Sequence, residues 1–414
     1  MTAAAPPFLP YGRQSVDEED IAAVAAVLRG DWLTQGPAVA AFERALADRV
    51  GAREAVACAN GTAALRLAYA VLDLGPGDAV VVPANTFLAT ASAARHAGAE
   101  VAFADVDPAT GLMGAEQAEA AVARGRAAGW RVRALAPVHY AGQTAPMADL
   151  GALARAERLA VVEDACHAVG SVDRVPGGAA IPVGACAESA LTVFSFHPVK
   201  TIAAGEGGAV TGNDPALMAR VRGLCNHGML RAAQHGDPGF ADPEAAFDAD
   251  GTPNPWYYEM PEPGFNHRLS DIHAALALSQ IRRLDAFVER RRRLMALYAE
   301  RLAPLAPLVE PPAAVPWCDP AWHLCAVRID FAAAGRSRAR VMAALRADGI
   351  GSQVHYIPVH RQPFWRRRYG EADLPGAMAH YGRTLSLPLF PNMADADVDR
   401  VAAALEWALT GAIS

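Results

Sequence analysis

The chain has 414 residues, 52% of them hydrophobic, which is enough for two or three domains and a large buried core. No apolar run approaches the ~20 residues of a membrane span, the start MTAAAPPFLPYGRQ lacks the basic and apolar regions of a secretory signal, and a net charge of −7 argues against a general nucleic-acid or membrane-surface protein. Six cysteines without C-x-x-C spacing read as buried thiols rather than disulfides or a zinc site, so the cytoplasm is the expected compartment.

In chain order, Ser15-Val16-Asp17-Glu18 reads as a capping box for a helix ending near Arg29. Asp31 to Pro37 is a loop before a helix over 38–50. Within the loop, Trp32 beside Thr34 is equally a piece of punctuation or a ligand edge. Strand and helix then alternate: strand 54–58, helix 63–72 opened by Asn60-Gly61-Thr62, strand 79–82, and a helix from Asn85-Thr86-Phe87 to His96. Strand 101–104, helix 115–124, strand 132–138, helix 147–157 and strand 159–162 follow, the last ending at Glu163-Asp164. Such alternation with buried strands predicts an α/β fold with a mostly parallel sheet, whose ligands sit beyond the carboxyl ends of the strands. Asn60, Asn85, Asp164 and the 195–200 loop all follow strands, and are therefore expected to meet.

Residues 190–196 read as a buried strand running into Ser195, His197, Pro198 and Lys200. A cluster at Gly205, Gly207 and Gly208 and a strand over 209–211 come next, and Asn213-Asp214-Pro215 starts a helix. A lysine just past a buried strand is partly desolvated. Desolvation lowers its pKa and makes the amine a nucleophile able to form a Schiff base. Taken alone, Lys200 reads more readily as a solvated loop residue, since most lysines are exposed, and the glycines read as places where the backbone passes close to a bound group. Residues 223–262 form a long loop containing PWYYE. A long helix over 272–302 carries an arginine run, 290–293, that reads as a solvated face. After a Pro-rich linker at 304–320, a smaller α/β module is expected from strand 323–329, helix 336–348, strand 353–356 and helix 394–409. The expected division is a large domain over 1–275, with an N-terminal arm, and a smaller C-terminal domain over 276–414 that includes the long helix.

A pyridoxal phosphate enzyme needs a lysine, a carboxylate for the protonated pyridine nitrogen, a helix N-terminus with hydroxyls for the phosphate, and an aromatic face for the ring. Lys200, Asp164, the set Gly61, Thr62 and Ser195, and Phe87 supply these, each after a strand of one sheet. No G-x-G-x-x-G follows the first strand, where Ala59-Asn60-Gly61-Thr62 stands instead, so a nicotinamide-dependent enzyme is not indicated.

With DACH at 164–167, FSFHPVK and GEGGAVTGND, the chain resembles the DegT/DnrJ/EryC1/StrS family of sugar-nucleotide aminotransferases over nearly its whole length. The resemblance implies fold type I, the aspartate aminotransferase-like fold, with pyridoxal 5'-phosphate as cofactor. It implies Lys200 as the Schiff-base lysine, Ser195 as a phosphate ligand, Asp164 at the pyridine nitrogen, His167 beside the 3-hydroxyl and Phe87 stacked on the ring. It further implies that Asn266, which by itself reads as a helix cap, reaches the phosphate of the neighbouring subunit in a homodimer with shared active sites. His267 replaces the tyrosine or phenylalanine usual after that asparagine. FSFHPVKTI, PWYYE, AWHLCAVRI and GIGSQVHYIPVHRQPFW look most like the branch that makes pseudaminic acid precursors. There L-glutamate is the amino donor and the acceptor is a UDP-linked 4-keto sugar. By that likeness Tyr11, Trp32, Leu33, Thr34, His323 and Leu324 face the substrate, and Gly61, Ser195 and Asn266 border it. His355, Tyr356 and His360 read equally as sugar contacts or as core. The alternatives are a 4-aminotransferase for another nucleotide-linked 4-keto sugar, of perosamine or aminoarabinose type, and a non-catalytic cofactor-binding regulator. Lys200 speaks against the second, and against a family dehydratase with histidine in its place.

Overall fold

A computed structural model describes residues 7–174, 178, 180–231 and 241–411. Its strands begin with β1 (Glu54–Cys58), β2 (Asp78–Pro83), β3 (Glu100–Ala104), β4 (Arg131–Leu135) and β5 (Ala160–Asp164). Then come β6 (Val172–Arg174), β7 (Ala180–Pro182), β8 (Leu191–Ser195) and β9 (Gly208–Gly212). Seven of these form one sheet in the order β1-β9-β8-β5-β4-β2-β3. All neighbours from β8 through β5, β4 and β2 to β3 are parallel, and only β9 runs against both of its partners. The mostly parallel α/β architecture read from the sequence is thus the one observed. Every residue of β2 is buried, as both faces of a parallel sheet must be. One face packs Leu65, Leu67 and Val193 into a core, and the other packs Phe42, Leu46, Phe194 and Phe196.

A separate core lies under the C-terminal residues. There β10 (Val309–Glu310), β12 (Cys325–Ile329) and β13 (Thr384–Leu387) form an antiparallel sheet, while β11 (Cys318–Asp319) pairs with β6. Helices Leu284–Leu302, Arg338–Ala347 and Asp395–Thr410 cover the three-stranded sheet. The N-terminal arm docks on this module. Leu9 exchanges backbone hydrogen bonds with Gly349 and Gly351, each 2.8 Å, and Leu389 N–H donates to Tyr11 O at 3.0 Å, which carries Tyr11 toward the large sheet.

Several local expectations give way to tertiary contacts. The first helix, Glu18–Arg29, is capped by Asp17, whose carboxylate accepts from the Glu19 and Asp20 amides; Ser15 bonds Asn392 instead. The single long helix is two, Asp271–Ile281 and Leu284–Leu302. At the break, Gln280 and Arg283 both reach Ser15 O and the buried Asp20 carboxylate. Ser270 caps the first of them, so Asn266 is not its cap. Residues 353–356 do not form a strand. Gln353 pairs with Ser386, and the Tyr356 amide turns away to donate to Asn85 Oδ1 at 3.3 Å. Two further helices, Pro363–Tyr369 and Pro375–Arg383, follow: Trp365 of the first lies edge-on to Phe103 of β3 at 5.2 Å, and the Gly376 and Ala377 amides of the second donate to Asp105 just past β3. The long loop holds a short helix, Pro243–Ala246, and an exposed Trp256; its residues 232–240 lie outside the described residues.

The arginine run is not one solvated face. Arg290 and Arg293 pair with Asp395, whereas Arg291 is 0% exposed and gives Nη1 to the carbonyls of Trp322, His323 and Leu389 at 3.3, 3.3 and 3.0 Å. Burial lowers its pKa to about 10, still leaving it charged at neutral pH. A cation so placed ties the long helix to the backbone that carries His323.

Buried histidines line the junction between the C-terminal module and the large sheet. His355 shares a 2.8 Å hydrogen bond with Ser386, and His380 lies edge-on to Tyr140 at 5.3 Å. Burial pulls His355 down to about 3, with Lys200 adding to the shift, and His380 down to about 4. In the unfolded chain both titrate near 6.5, so below that pH the unfolded state binds protons that the folded state refuses. The stability held by these neutral rings is full above about pH 6.5 and is lost as pH falls toward 4. Urea unfolding at pH 7.5, 6.5, 5 and 4 should show that decline. His355→Gln should flatten the slope by up to roughly 1.4 kcal/mol per pH unit, the value of one proton. A variant with the wild-type slope would mean that His355 is not held neutral.

Candidate active site

Strand register sets the site. Asp164 lies opposite Val193 across β5 and β8, Ser195 opposite Gly208 across β8 and β9, and Gly208 opposite Cys58 across β9 and β1. The carboxyl ends of three strands therefore stand in one row beneath a cleft of about 630 Å³. Gly61, Thr62, Phe87, Asp164, His167, Ser195, Lys200, Tyr11 and His323 all line that cleft, as the sequence predicts.

A glycine is required where the row closes. A Cβ on Gly208 would sit 2.4 Å from the carbonyl of Asn60, and one on Gly61 would sit 2.9 Å from Ser195 Cβ. Gly208 thus admits the backbone of Asn60 and seats the helix Gly61–Ala70 with its first turn at the cleft. Asn60 Oδ1 caps that helix by accepting from Ala63 N–H at 2.9 Å. The Gly61 and Thr62 amides belong to a first turn that has no intrahelical acceptors, and with the Ser195 hydroxyl they form a set of donors suited to an anion.

Asp164, buried at the end of β5, is held by two donors. Thr90 Oγ1 gives to Oδ2 at 2.7 Å and the Cys166 amide gives to Oδ1 at 3.2 Å; Thr86 shares a 2.8 Å hydrogen bond with Thr90 behind it. Both carboxylate oxygens are thereby oriented. Lys200 is half-buried, and desolvation holds its pKa below the ordinary lysine value against the opposing pull of Cys166 and Asp164. Phe87, the residue before the helix Leu88–His96, is 55% exposed and offers a bare aromatic wall, with the Tyr356 ring 6.0 Å away.

Three buried histidines stand on the opposite side. His167 and His323 lie 4.4 Å apart, ring to ring, and Tyr11 meets His355 at 5.4 Å. Burial pushes His167 and His323 well below the usual imidazole value, so both are neutral. The loop between them turns through Ala141 with φ 58°. Its amide donates to His167 Nδ1 at 3.3 Å, and its carbonyl accepts from His323 N–H at 2.9 Å. His167 Nε2 is 2.9 Å from Tyr356 Oη, so both of its ring nitrogens have protein partners.

Other expected residues lie elsewhere. Trp32 and Leu33, 59% and 49% exposed, and Thr34 are outside this chain's cleft. Leu33 O accepts from the Asp271 amide at 3.0 Å, and Thr34 bridges Ser270, so this segment lies alongside 270–271. Asn266 is also exposed and outside the cleft, bridged to Asn226, and His267 stacks on Phe265 at 4.8 Å. Leu324 is 2% exposed in an apolar cluster with Tyr140 and Val315, so its side chain does not face a ligand. His360 packs against Phe103, whereas His355 and Tyr356 do line the cleft. Thr90 and Ala141 belong to no motif in the sequence. The one cue for Thr90 is a hydroxyl on the inward side of the alanine-rich helix LATASAARH.

The model of the DegT/DnrJ/EryC1/StrS aminotransferase family matches residues 14–406. The spore coat polysaccharide biosynthesis protein SpsC of Bacillus subtilis is 38% identical over 408 residues, 98% of this chain and 98% of its own. Among solved structures, Helicobacter pylori PseC, an aminotransferase involved in the biosynthesis of pseudoaminic acid, superposes with a TM-score of 0.83 at 24% identity, covering 97% of this chain and 99% of its own. Spr1654 of Streptococcus pneumoniae in its PLP-form gives 0.82 at 26%, covering 97% and 100%. A match over nearly the whole length and a full-length relative at 38% identity leave one conclusion: the chain belongs to the DegT/DnrJ/EryC1/StrS aminotransferase family.

Proposed function

We propose that this chain, a sugar aminotransferase of that family, uses pyridoxal phosphate to move an amino group from L-glutamate to C4 of a UDP-linked 4-keto-6-deoxy-N-acetylhexosamine. The product would be UDP-4-amino-4,6-dideoxy-N-acetyl-β-L-altrosamine, a pseudaminic acid precursor. The observation that carries the reaction type is the meeting of Lys200, Asp164, Phe87 and the Gly61–Thr62 helix start with Ser195 in one cleft. These groups fit the cofactor: an amine for its aldehyde, a fixed carboxylate for its ring nitrogen, an exposed aromatic face, and neutral donors for its phosphate. The choice of sugar rests on the segments FSFHPVKTI, PWYYE, AWHLCAVRI and GIGSQVHYIPVHRQPFW. A second reading is a 4-keto sugar carried on another nucleotide, and the full-length likeness to a spore coat polysaccharide biosynthesis protein favours a product destined for a polysaccharide.

When bound, pyridoxal phosphate supplies an aldehyde for amine exchange and a ring that accepts the electron pair left when a Cα proton departs. The protein's part is positional and acid–base. Lys200 Nζ, poised by its lowered pKa, takes the Cα proton of the amino donor and returns a proton to C4 of the sugar in the second half-reaction. Asp164, oriented by Thr90 and the Cys166 amide, holds a negative charge where a protonated ring nitrogen needs it. Gly61, Thr62 and Ser195 bind the phosphate. Tyr11 and His323 border the sugar, and the histidines stay neutral so that Lys200 remains the proton carrier. We assign the exposed Asn266 and the Trp32–Thr34 segment to the partner's cleft in a homodimer.

Purified protein given glutamate and a panel of UDP-, GDP- and dTDP-linked 4-keto sugars should release 2-oxoglutarate with the UDP-linked N-acetyl sugar. Turnover only with another nucleotide would transfer the conclusion to the second reading, and a cofactor-loaded protein inert with all of them would sink both. Borohydride reduction of the same preparation should leave the pyridoxyl label on Lys200. Asp164→Asn keeps the shape but removes the charge; kcat should fall on the order of 10²-fold, about 3 kcal/mol. Thr90→Val should cost roughly tenfold, since it frees only one carboxylate oxygen. Normal turnover in both variants would assign the ring-nitrogen role to another group. Mixing Asn266→Ala with Lys200→Ala subunits should restore activity above that of Asn266→Ala alone, because one site of each mixed dimer is intact. Mixed dimers seen by native mass spectrometry without such recovery would rule out the shared site.

A further inference from the structure

His167 occupies the place expected to serve the cofactor's 3-hydroxyl, yet it has no hydrogen left to give. Its Nδ1 accepts the Ala141 amide hydrogen at 3.3 Å, which fixes the neutral tautomer with its single hydrogen on Nε2. That nitrogen is 2.9 Å from Tyr356 Oη, so the ring donates there. A phenol hydroxyl has two in-plane directions, one for a donor it accepts from and one for its own hydrogen. With His167 filling the first, the Tyr356 hydrogen takes the second. Among the described residues no side chain other than His167 hydrogen-bonds this hydroxyl, and Tyr356 lines the cleft.

We propose that Tyr356 is the fixed hydroxyl donor of the cleft, held in that role by His167, and that it donates to an oxygen of the bound group that carries or develops negative charge. The rest of its surroundings keep it in place. Asn85 accepts the Tyr356 amide hydrogen, and its own Nδ2 is tied to Gly111 O at 3.2 Å. His355 packs edge-on to the ring at 5.0 Å, and Phe87 lies across from it at 6.0 Å. His323 packs against His167 at 4.4 Å and keeps the imidazole from turning. The charged and titratable groups around the phenol are Asp164, Cys166, Tyr11 and Tyr140, with Lys200 in the same cleft. Burial and these neighbours hold the phenol well above its ordinary pKa, so it remains a donor at any working pH. Tyr356 is then a catalytic residue in direct contact with the ligand, and His167 is a positioning residue acting through it.

The inference rests on the pyridoxal phosphate reading above, under which two oxygens qualify: the ring oxygen of the cofactor and the carbonyl oxygen of the 4-keto sugar. A donor to the ring oxygen stabilises its ionised form and lowers the midpoint at which the holoenzyme's visible absorbance changes with pH. In substrate-free holoenzyme, Tyr356→Phe should raise that midpoint by about one unit, a tenfold change in the proton equilibrium. If the acceptor is the sugar carbonyl, the midpoint stays put and kcat/KM for the sugar falls about tenfold while that for glutamate holds. His167→Leu should reproduce part of whichever effect is seen, His167→Gln, which retains an N–H donor, should restore it, and His167→Leu with Tyr356→Phe should go no further than Tyr356→Phe alone. Site-specific 3-fluorotyrosine at 356, a stronger donor of nearly the same shape, should move the readout the opposite way and serves if the phenylalanine variant folds poorly. Tyr356→Phe holoenzyme identical to wild type in midpoint and in sugar kcat/KM overturns the proposal, as do independent, additive effects at 167 and 356. A wild-type protein that shows no visible absorbance with pyridoxal phosphate would instead bring down the reading on which the proposal rests.

Discussion

Everything at the cleft depends on the hydrogen-bond register across β5, β8, β9 and β1. Phe194 of β8 and Phe196 just past its end bury on one side, where Phe196 meets Phe42 edge-on at 5.2 Å, while Leu191 and Val193 bury on the other. A slip of one residue would exchange those faces, so packing specifies the pairing strongly. Once it is specified, Ser195, Gly208 and Cys58 fall in a row with Asp164 opposite Val193 at the end of β5, and the segments that leave these strand ends carry Lys200 and the Gly61–Thr62 helix start. Gly208 and Gly61 permit this closeness because any side chain there would strike backbone or Ser195. Core packing and site geometry are, at this point, the same interaction.

The electrostatics of the cleft follow from burial. His167, His323 and His355 are all pressed toward their neutral forms by desolvation, and Lys200 contributes to each shift. A row of imidazolium ions beside that lysine would lower its pKa further and compete for the Asp164 carboxylate. Instead the imidazoles act as packing surfaces and directional hydrogen-bond partners. Asp164 remains an acceptor held by Thr90 and an amide, an arrangement that fixes direction without adding a competing charge.

Segments distant in sequence complete the site because their own backbone groups are held there. Tyr11 arrives because Leu389 donates to its carbonyl, Tyr356 because Asn85 accepts its amide hydrogen, and His323 because Ala141 and the buried Arg291 engage its backbone. Ala141 serves two of these histidines from a single residue with positive φ, a conformation that a non-glycine residue adopts only when its surroundings require it. The C-terminal module thus shapes the cleft even though its own core is separate from that of the large sheet.

The sequence by itself determined the parallel α/β sheet, most of its helices and the residues Lys200, Asp164, Ser195, Gly61, Thr62 and Phe87. These sit at the ends of strongly patterned strands, where hydrophobic period and turn residues are local signals. Several features were decided only in three dimensions. The break before Leu284 exists because Gln280 and Arg283 reach across to the first helix. Arg291 is buried because three carbonyls from distant segments surround it, and 353–356 is not a strand because Asn85 takes the Tyr356 amide. Leu324 turned inward and Tyr356 turned to the cleft for the same reason. A side chain's facing in an irregular segment is set by what packs against it, and nothing in the local pattern encodes that partner. The tautomer of His167 belongs to this class as well, since it is set by the amide hydrogen of Ala141, 26 residues earlier in the chain.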